Sequence, residues 1–425
     1  MSMATFNRDI DSVRIPGTTS VGWDPATPVN EKVDEHGKPV PTNTPFGVDD
    51  PRAPALREYD HPTVQNLRGQ LRAYNGIRPL EICPPEDIER IIGIYRRDGF
   101  VIVDKLLDTD HLENLQSGCE LELKKILSHR PTNERKYNAE TGRLPHRYCY
   151  GTSSASRHMM HNHAWTDLID LPKSTPILTA LFGSKDYLVW GGGGDLSLPG
   201  AIEYQHLHTD GLDSLTNGEE RLIYTRELLD IGQNLTFSDL DFRTQKLVME
   251  FSPPGITINF AVSELTWENG PIRQIPGTQG LAQKPPTLDQ EPAWMRFSTL
   301  VGVPAGAGIF RDTRAWHGAT PNLSHEIRAL PSIEYAAPWR TNETFQKSMP
   351  YTLWEDLSDH AQSICRKIVQ KPGVWPHGAG FTHPLAAARQ QAFQNSIGGQ
   401  GHVEKSYTDP SSAGTALRLF NKESS

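Results

Sequence analysis

The stretch YQHLHTDGL (204–212) sets His206, His208 and Asp210 at alternate positions, separated by Leu207 and Thr209. In an extended segment alternate side chains share one face, so two imidazoles and a carboxylate would gather there. Three readings fit the pattern: a metal site, a solvated strand edge, or a chance cluster. A second stretch, FRDTRAWHGATPNLSHEIRALPSIEY, places His317 after the apolar run GAGIF and Trp316, and Arg328 eleven residues after His317. Enough short apolar runs lie between to return the chain to the first stretch. His208, Asp210 and His317, with Arg328 nearby, then make a coherent set. Two imidazoles and one carboxylate on one face of an octahedral ion leave three positions open, the ligand set of non-haem Fe(II) oxygenases. The open positions can take a bidentate 2-oxoacid and O2. A buried guanidinium gives a planar two-pronged donor for that acid's distal carboxylate. His-x-Asp suits the task where a strand ends in a turn, because both side chains can then reach one ion.

The elements that must position these residues show in the patterning. Residues 1–75 are rich in Pro, Asp, Asn and Thr with little periodicity, and are expected to form an extended N-terminal arm. Pro84-Pro85 precede a helix with an Ile88, Ile91, Ile92, Tyr95 stripe, ended by Asp98-Gly99. FVIV (100–103) is a short buried strand, and Asp108 or Thr109 can cap a second helix carrying Leu112, Leu115, Cys119 and Leu123. Residues 130–170 are polar, aromatic and irregular, the character of a functional loop. From 185 to 340 short apolar runs (YLVWGGGG, KLVMEFS, ITINFAVSEL, RFSTLVGVPAGAGIF, RALPSIEYAAP) alternate with Gly/Pro turns, the pattern of a sandwich or jelly roll. Residues 341–425 return to helix and loop, with TLWEDLSDHAQSICRKIVQ the clearest helix. The expected division is an arm (1–75), a mainly β jelly-roll domain with flanking helices (76–340), and a C-terminal extension packed on it (341–425).

Composition bounds the function. The chain has 425 residues, a net charge of −9 and no long basic run, which disfavours a nucleic-acid surface because phosphate binding needs concentrated Lys and Arg. Its four cysteines form no CxxC pair, which argues against a zinc knot or a disulfide framework. No segment is apolar over a membrane-spanning length, and the N-terminus has no apolar signal core. The expected location is the cytoplasm.

Several pieces, in order, resemble the phytanoyl-CoA dioxygenase (PhyH-like) family of Fe(II)/2-oxoglutarate oxygenases. YRRDGFVIVDKLLDTDHLENL (95–115) is similar to its opening helix, strand and helix. PGAIEYQHLHTD (199–210) is similar to its Pro-Gly lead into His-x-Asp. ENGPIRQIPGTQ (268–279) resembles its Asn-Gly-Pro turn, and GIFRDTRAWHGATPN (308–322) its second-histidine strand, with Arg328 at the family's interval. The resemblance covers roughly residues 85–340. It implies a double-stranded β-helix (jelly roll, cupin-like) core, Fe(II) held by His208, Asp210 and His317, and the 2-oxoglutarate C5 carboxylate bound by Arg328. It further implies that 2-oxoglutarate and O2 are consumed, giving succinate and CO2, while an unactivated C–H bond is hydroxylated, desaturated or cyclised. Where many members carry Ser two residues after the second histidine, this chain has Ala319; Thr320 or Ser324 is the substitute donor expected. Asp210 stands where family halogenases carry a small residue, which favours hydroxylation-type chemistry.

Other residues carry lesser expectations. Gln205 is a candidate for contacting the co-substrate, with a ladder-edge side chain as the alternative. Tyr148, Arg157 and Trp165 are candidate substrate contacts on a loop over the site, and His206 is expected near the metal rather than on it. His158, His161 and His163 lack an accompanying carboxylate or cysteine at ligand spacing, so a second metal site is not expected. GGGG (191–194) lacks phosphate-loop spacing and reads as a tight bend or close backbone approach. Glu268-Asn269-Gly270 reads as a turn. The expected partner is a small molecule, for which a carboxylate and an apolar portion suit the Arg, His, Tyr and Trp content of the loops, and specialised-metabolite biosynthesis is the expected setting. The competing functions are a non-catalytic jelly-roll binding or sensor protein, and a zinc hydrolase using the same triad, which leaves Arg328 without a role.

Overall fold

The computed structural model describes Trp23 and residues 58–127, 147–151, 158–211, 218–251, 253–281, 283–288, 290–340, 345–376 and 379. Among them the helices are α1 (Pro62–Tyr74), α2 (Ile88–Asp98), α3 (Thr109–Leu127), α4 (His163–Thr166), α5 (Ser174–Phe182), α6 (Gly218–Thr225), α7 (Phe242–Phe251), α8 (Ala293–Phe297), α9 (Tyr351–Trp354) and α10 (Asp359–Ile364). The strands are β1 (Ile82–Cys83), β2 (Phe100–Val103), β3 (Arg147–Tyr150), β4 (Leu188–Ser197), β5 (Gly255–Phe260), β6 (Arg273–Gln274), β7 (Gly308–Asp312), β8 (His317–Gly318) and β9 (Arg328–Ala336).

Seven strands make one sheet in the order β1-β2-β7-β5-β9-β4-β3, and β6 pairs with β8 in a second. Isolated bridges, Ala201↔Asn322 and His208↔His317 among them, extend the small sheet along the chain that carries the candidate ligands. The two sheets form a double-stranded β-helix core with helices outside it, as the strand pattern led one to expect.

The flanking elements follow from local chemistry. Asp87 caps α2 by accepting from the Arg90 amide, and Gly99 ends it at φ 79°, a left-handed conformation that glycine adopts at no steric cost. Ile91, Ile94 and Tyr95 form its buried face. The turn sets β2 at once against β7, in the register Phe100↔Arg311 and Val101↔Phe310, and β7 leads directly to His317. Asp108 accepts from the His111 amide at the start of α3. The main core gathers helix and sheet residues such as Trp165, Tyr187, Phe260, Phe310 and Tyr335. A smaller cluster of Leu207, Ile275 and Trp316 backs the ligand-bearing strands. Burying such side chains contributes about 1.5–3 kcal/mol each, so packing fixes the backbone on either side of His208 and His317.

Three expectations are corrected, and for a fourth one of its two alternatives holds. Residues 62–74, expected within an extended arm, form α1, capped by His61 and buried through Val64 and Leu71. KLVMEFS, expected as a strand, lies mostly in α7. A short apolar run does not distinguish strand from helix, and the Asp241 carboxylate caps this one by accepting from the Arg243 and Thr244 amides. The expected helix 352–370 is split into α9 and α10, because Ser358 opens a new helix by accepting from Ala361 N. GGGG is not a tight bend but lies inside β4. Close approach is its reason: a Cβ on Gly191, Gly192 or Gly194 would collide with His158, Met160 or Tyr150 respectively.

Candidate metal centre

His208 and His317 face each other across a two-residue antiparallel bridge, with the His208 N–H donating to the His317 carbonyl at 3.0 Å and the reverse bond at 3.1 Å. Directly opposed residues bring their side chains together, and here the ring centroids are 4.2 Å apart. The Asp210 amide donates to the Thr313 carbonyl at 2.9 Å, which turns its side chain back toward the pair. Asp210 Oδ1 then lies 3.6 Å from His208 Nε2 and 3.4 Å from His317 Nε2. One ligand atom from each of the three residues falls within 4.8 Å of the others.

This donor set fits a divalent metal. His208 Nδ1 is 3.2 Å from the His206 carbonyl and His317 Nδ1 is 3.1 Å from the Ala315 carbonyl. A carbonyl accepts only, so each ring is held with its proton on Nδ1 and its Nε2 lone pair turned to the shared space. Burial alone would raise the Asp210 carboxyl. The Arg311 guanidinium, with His317 and His208, outweighs that and holds it well below the usual carboxylate range. Arg311, 3 % exposed, donates from Nη2 to Asp210 Oδ2 at 2.7 Å and places Nη1 3.2 Å from His317 Nδ1.

The same cleft is lined by Arg328, Arg147, Asp195, Gln205, Thr257, Asn259 and Ala319. Arg328 is 1 % exposed. It donates through Nε to the Gly270 carbonyl at 2.9 Å, and through both terminal nitrogens to Asp195 Oδ2 at 3.2 Å. Arg147 donates to the same oxygen at 2.7 Å, while its Nε and Nη1 are buried without a partner among the described residues. Asp195 is pushed up by burial and pulled down further by Arg147 and Arg328, so its carboxyl sits below the ordinary value. Two guanidiniums against one carboxylate leave one positive charge in excess at this end of the cleft.

The structure thus brings together His208, Asp210, His317, Arg328 and Gln205, and sets Ala319 beside them, where its amide donates to Gln205 Oε1 at 3.2 Å. It does not bring Thr320 in: that side chain is fully buried and its hydroxyl donates to the Pro271 carbonyl. Nor does it bring in Ser324, bonded to Asn322 Oδ1 at 2.7 Å. His206 is exposed and outside the ligand group, with its ring centroid 5.7 Å from that of His208. Tyr148 packs in the main core on the face of β3 opposite to Arg147 and Cys149. Trp165 is buried there too, its Nε1 donating to the Gly193 carbonyl at 2.8 Å. Neither lines the cleft. Arg157 lies outside the described residues. Among the described residues His158, His161 and His163 form no metal-holding group; His158 is buried against Gly191.

Arg147, Asp195 and Arg311 were not singled out from the sequence. A charge inside an otherwise apolar run, as in GAGIFRD and WGGGGDLS, was the available signal. Arg147 carried less of one, since RYCY sits within a stretch that reads as loop.

A scan of protein families matches residues 235–330 to phytanoyl-CoA dioxygenase (PhyH), a span that contains His317 and Arg328. No curated protein matches the chain. Among solved structures, AviO1 from Streptomyces viridochromogenes Tue57 aligns at 18 % identity and TM-score 0.39 over 59 % of this chain and 96 % of that one. The non-haem alpha-ketoglutarate-dependent carbocyclase SnoK from nogalamycin biosynthesis aligns at 17 % identity and TM-score 0.38 over 58 % and 83 %. These are distant likenesses and nothing further is built on them. The match to the phytanoyl-CoA dioxygenase model over residues 235–330 is thus a similarity over part of the chain, and it takes in His317 and Arg328.

Proposed function

We propose that this protein oxidises an unactivated C–H bond of a small molecule at a metal held by His208, Asp210 and His317, with Arg328 and Arg147 taking the distal carboxylate of 2-oxoglutarate. One observation carries the reading: a two-histidine, one-carboxylate group within 4.8 Å and a buried arginine pair line one cleft. A hydrolytic metal site would use the triad but leave that pair without a task.

Iron bound there supplies the oxidation: 2-oxoglutarate and O2 become succinate and CO2, and the second oxygen atom is available to the substrate. The chain's own residues do the rest. The excess positive charge of the Arg147–Asp195–Arg328 cluster attracts a carboxylate. Arg147 Nε and Nη1 and the remaining Nη2 N–H of Arg328 offer it charge-assisted hydrogen bonds. Asp195 and the Gly270 carbonyl hold Arg328 in place before the co-substrate arrives, which lowers the ordering cost of binding. With one end anchored at the arginines, the 2-oxoacid end is oriented toward the histidines. Gln205, fixed by the Ala319 amide, borders that path. Thr257 Oγ1 and Asn259 Oδ1 are buried polar atoms without partners among the described residues and line the cleft with the apolar Ile272 and Leu330. They suit a substrate bearing a hydroxyl or amine next to apolar surface. The retained Asp210 favours hydroxylation, desaturation or oxidative cyclisation over halogenation, and specialised-metabolite tailoring is the setting proposed.

The test is co-substrate turnover. Succinate formation from 2-oxoglutarate should require Fe(II) and O2, should not be supported by Zn(II), and should be lost in Asp210→Ala. Metal-independent or Zn(II)-supported hydrolysis by a folded protein would overturn the proposal.

A further inference from the structure

Arg311 stands in β7, an interior strand of the large sheet, with backbone partners on both sides, Phe100 on β2 and Thr257 on β5. Its stem therefore cannot slide. Its Nη2 donates to one candidate ligand, Asp210 Oδ2, at 2.7 Å; Nη1 lies 3.2 Å from His317 Nδ1, the nitrogen whose proton faces the Ala315 carbonyl, and Nε has no partner among the described residues. Asp210 is thereby divided. Oδ2 is capped by a cation, and Oδ1 faces both imidazole Nε2 atoms. A divalent ion approaching Oδ2 would meet the guanidinium charge directly, and like charges repel. The same ion approaching Oδ1 would not.

We infer that Arg311 is a positioning residue that restricts Asp210 to ligation through one oxygen, keeping open the metal positions that the 2-oxoacid and O2 need. The inference rests on the reading of His208, Asp210 and His317 as metal ligands. A carboxylate can bind a metal through one oxygen or two, and a second bound oxygen would occupy one of three positions that must stay free. Arg suits this better than Lys because its guanidinium is planar, stays charged when buried and is more weakly hydrated than an ammonium. The result is a site whose vacancy is enforced by charge from behind the ligand.

Co(II) is the probe, since its visible d–d bands report coordination number without turnover. Metal-free wild type, Arg311→Met and Arg311→Lys are loaded with Co(II) and titrated with 2-oxoglutarate. Wild type should give a spectrum that 2-oxoglutarate alters. Arg311→Met should still take up Co(II), but with an altered spectrum and a need for about tenfold or more 2-oxoglutarate, in line with the effect of residues that support ligands. Arg311→Lys should fall nearer wild type. A Met variant with wild-type spectrum and wild-type 2-oxoglutarate requirement overturns the inference while leaving the site intact. A wild type that takes up no Co(II) removes the metal-site reading instead. A crystal structure of Co(II)-loaded wild type decides the matter even if Arg311→Met does not fold. Asp210 bound through one oxygen with Oδ2 on Arg311 supports the inference, and two-oxygen binding or a displaced Arg311 overturns it.

Discussion

Asp195 holds two arginines with one carboxylate, an excess of charge that suits the proposed anionic co-substrate. Arg328→Ala and Arg147→Met should each raise the 2-oxoglutarate concentration needed for half-maximal succinate release by about 10–100-fold, the loss of a hydrogen bond to a charged group being about 1.5–3 kcal/mol. A titration of initial rates against 2-oxoglutarate checks this; unchanged values would remove the arginine pair from co-substrate binding. Asp195→Asn leaves both guanidiniums without a counter-charge. It should cost about 3 kcal/mol of stability in urea unfolding without ligand, because the partners of a broken buried pair remain buried. Because the Asp195 carboxyl is held below its ordinary value when folded, its contribution is present above about pH 4. It is lost as pH falls through the folded value, so the Asn variant should show a flatter acid limb than wild type. At this scale the triad and Arg328 were legible because their types and spacing are unusual together. Arg147, Asp195 and Arg311 were not, since a single charge in a short strand announces burial only once its neighbours are known. Tyr148 and Trp165 misled because aromatic residues in a Gly/Ser-rich stretch read equally well as a binding loop or as core. Alternation along β3 decides it, placing Arg147 and Cys149 in the cleft and Tyr148 behind.

Strand β4 carries the clearest element-scale constraint. A Cβ on Gly194 would meet the Tyr150 hydroxyl and lie 2.9 Å from Pro331 Cα, so Gly194→Ala should destabilise by about 1–3 kcal/mol through overpacking. Chemical denaturation is the check, and a neutral result would mean that β3 can withdraw from β4 without loss. The same movement would carry Arg147 and Asp195 apart, since Cys149 and Asp195 are register partners. That variant should therefore also need more 2-oxoglutarate. Helix α2, its Gly99 stop, β2 and the Asp108 cap could be read from local rules. Helix α7 could not, because KLVMEF is short and apolar, and the cap that fixes it lies just before the run. The split between α9 and α10 turns on the Ser358 side chain, a signal weaker than the continuous apolar spacing around it.

Across the whole molecule, the large sheet and its helices enclose the main core without help from the cleft residues, so the fold should not depend on metal. Chelation should abolish succinate formation and leave the far-UV circular dichroism unchanged, whereas a structural metal would take the fold with it. Among the described residues no helix is long and apolar enough to cross a membrane. The alternation of short strands and turns made a jelly roll legible. The pairing that matters most, His208 against His317, joins residues far apart in sequence; their types suggested it, the ordered family motifs strengthened it, and the bridge itself is a tertiary feature. The most direct test of the central claim needs no substrate. Metal-free protein is given Fe(II) and then 2-oxoglutarate under anaerobic conditions, and the weak visible charge-transfer band of the chelate is followed in wild type, His317→Ala and Arg328→Ala. The expected result is a band in wild type, none in His317→Ala, and one in Arg328→Ala that needs far more 2-oxoglutarate. A folded wild type that gives no band would contradict the assignment of this cleft as an iron and 2-oxoglutarate site.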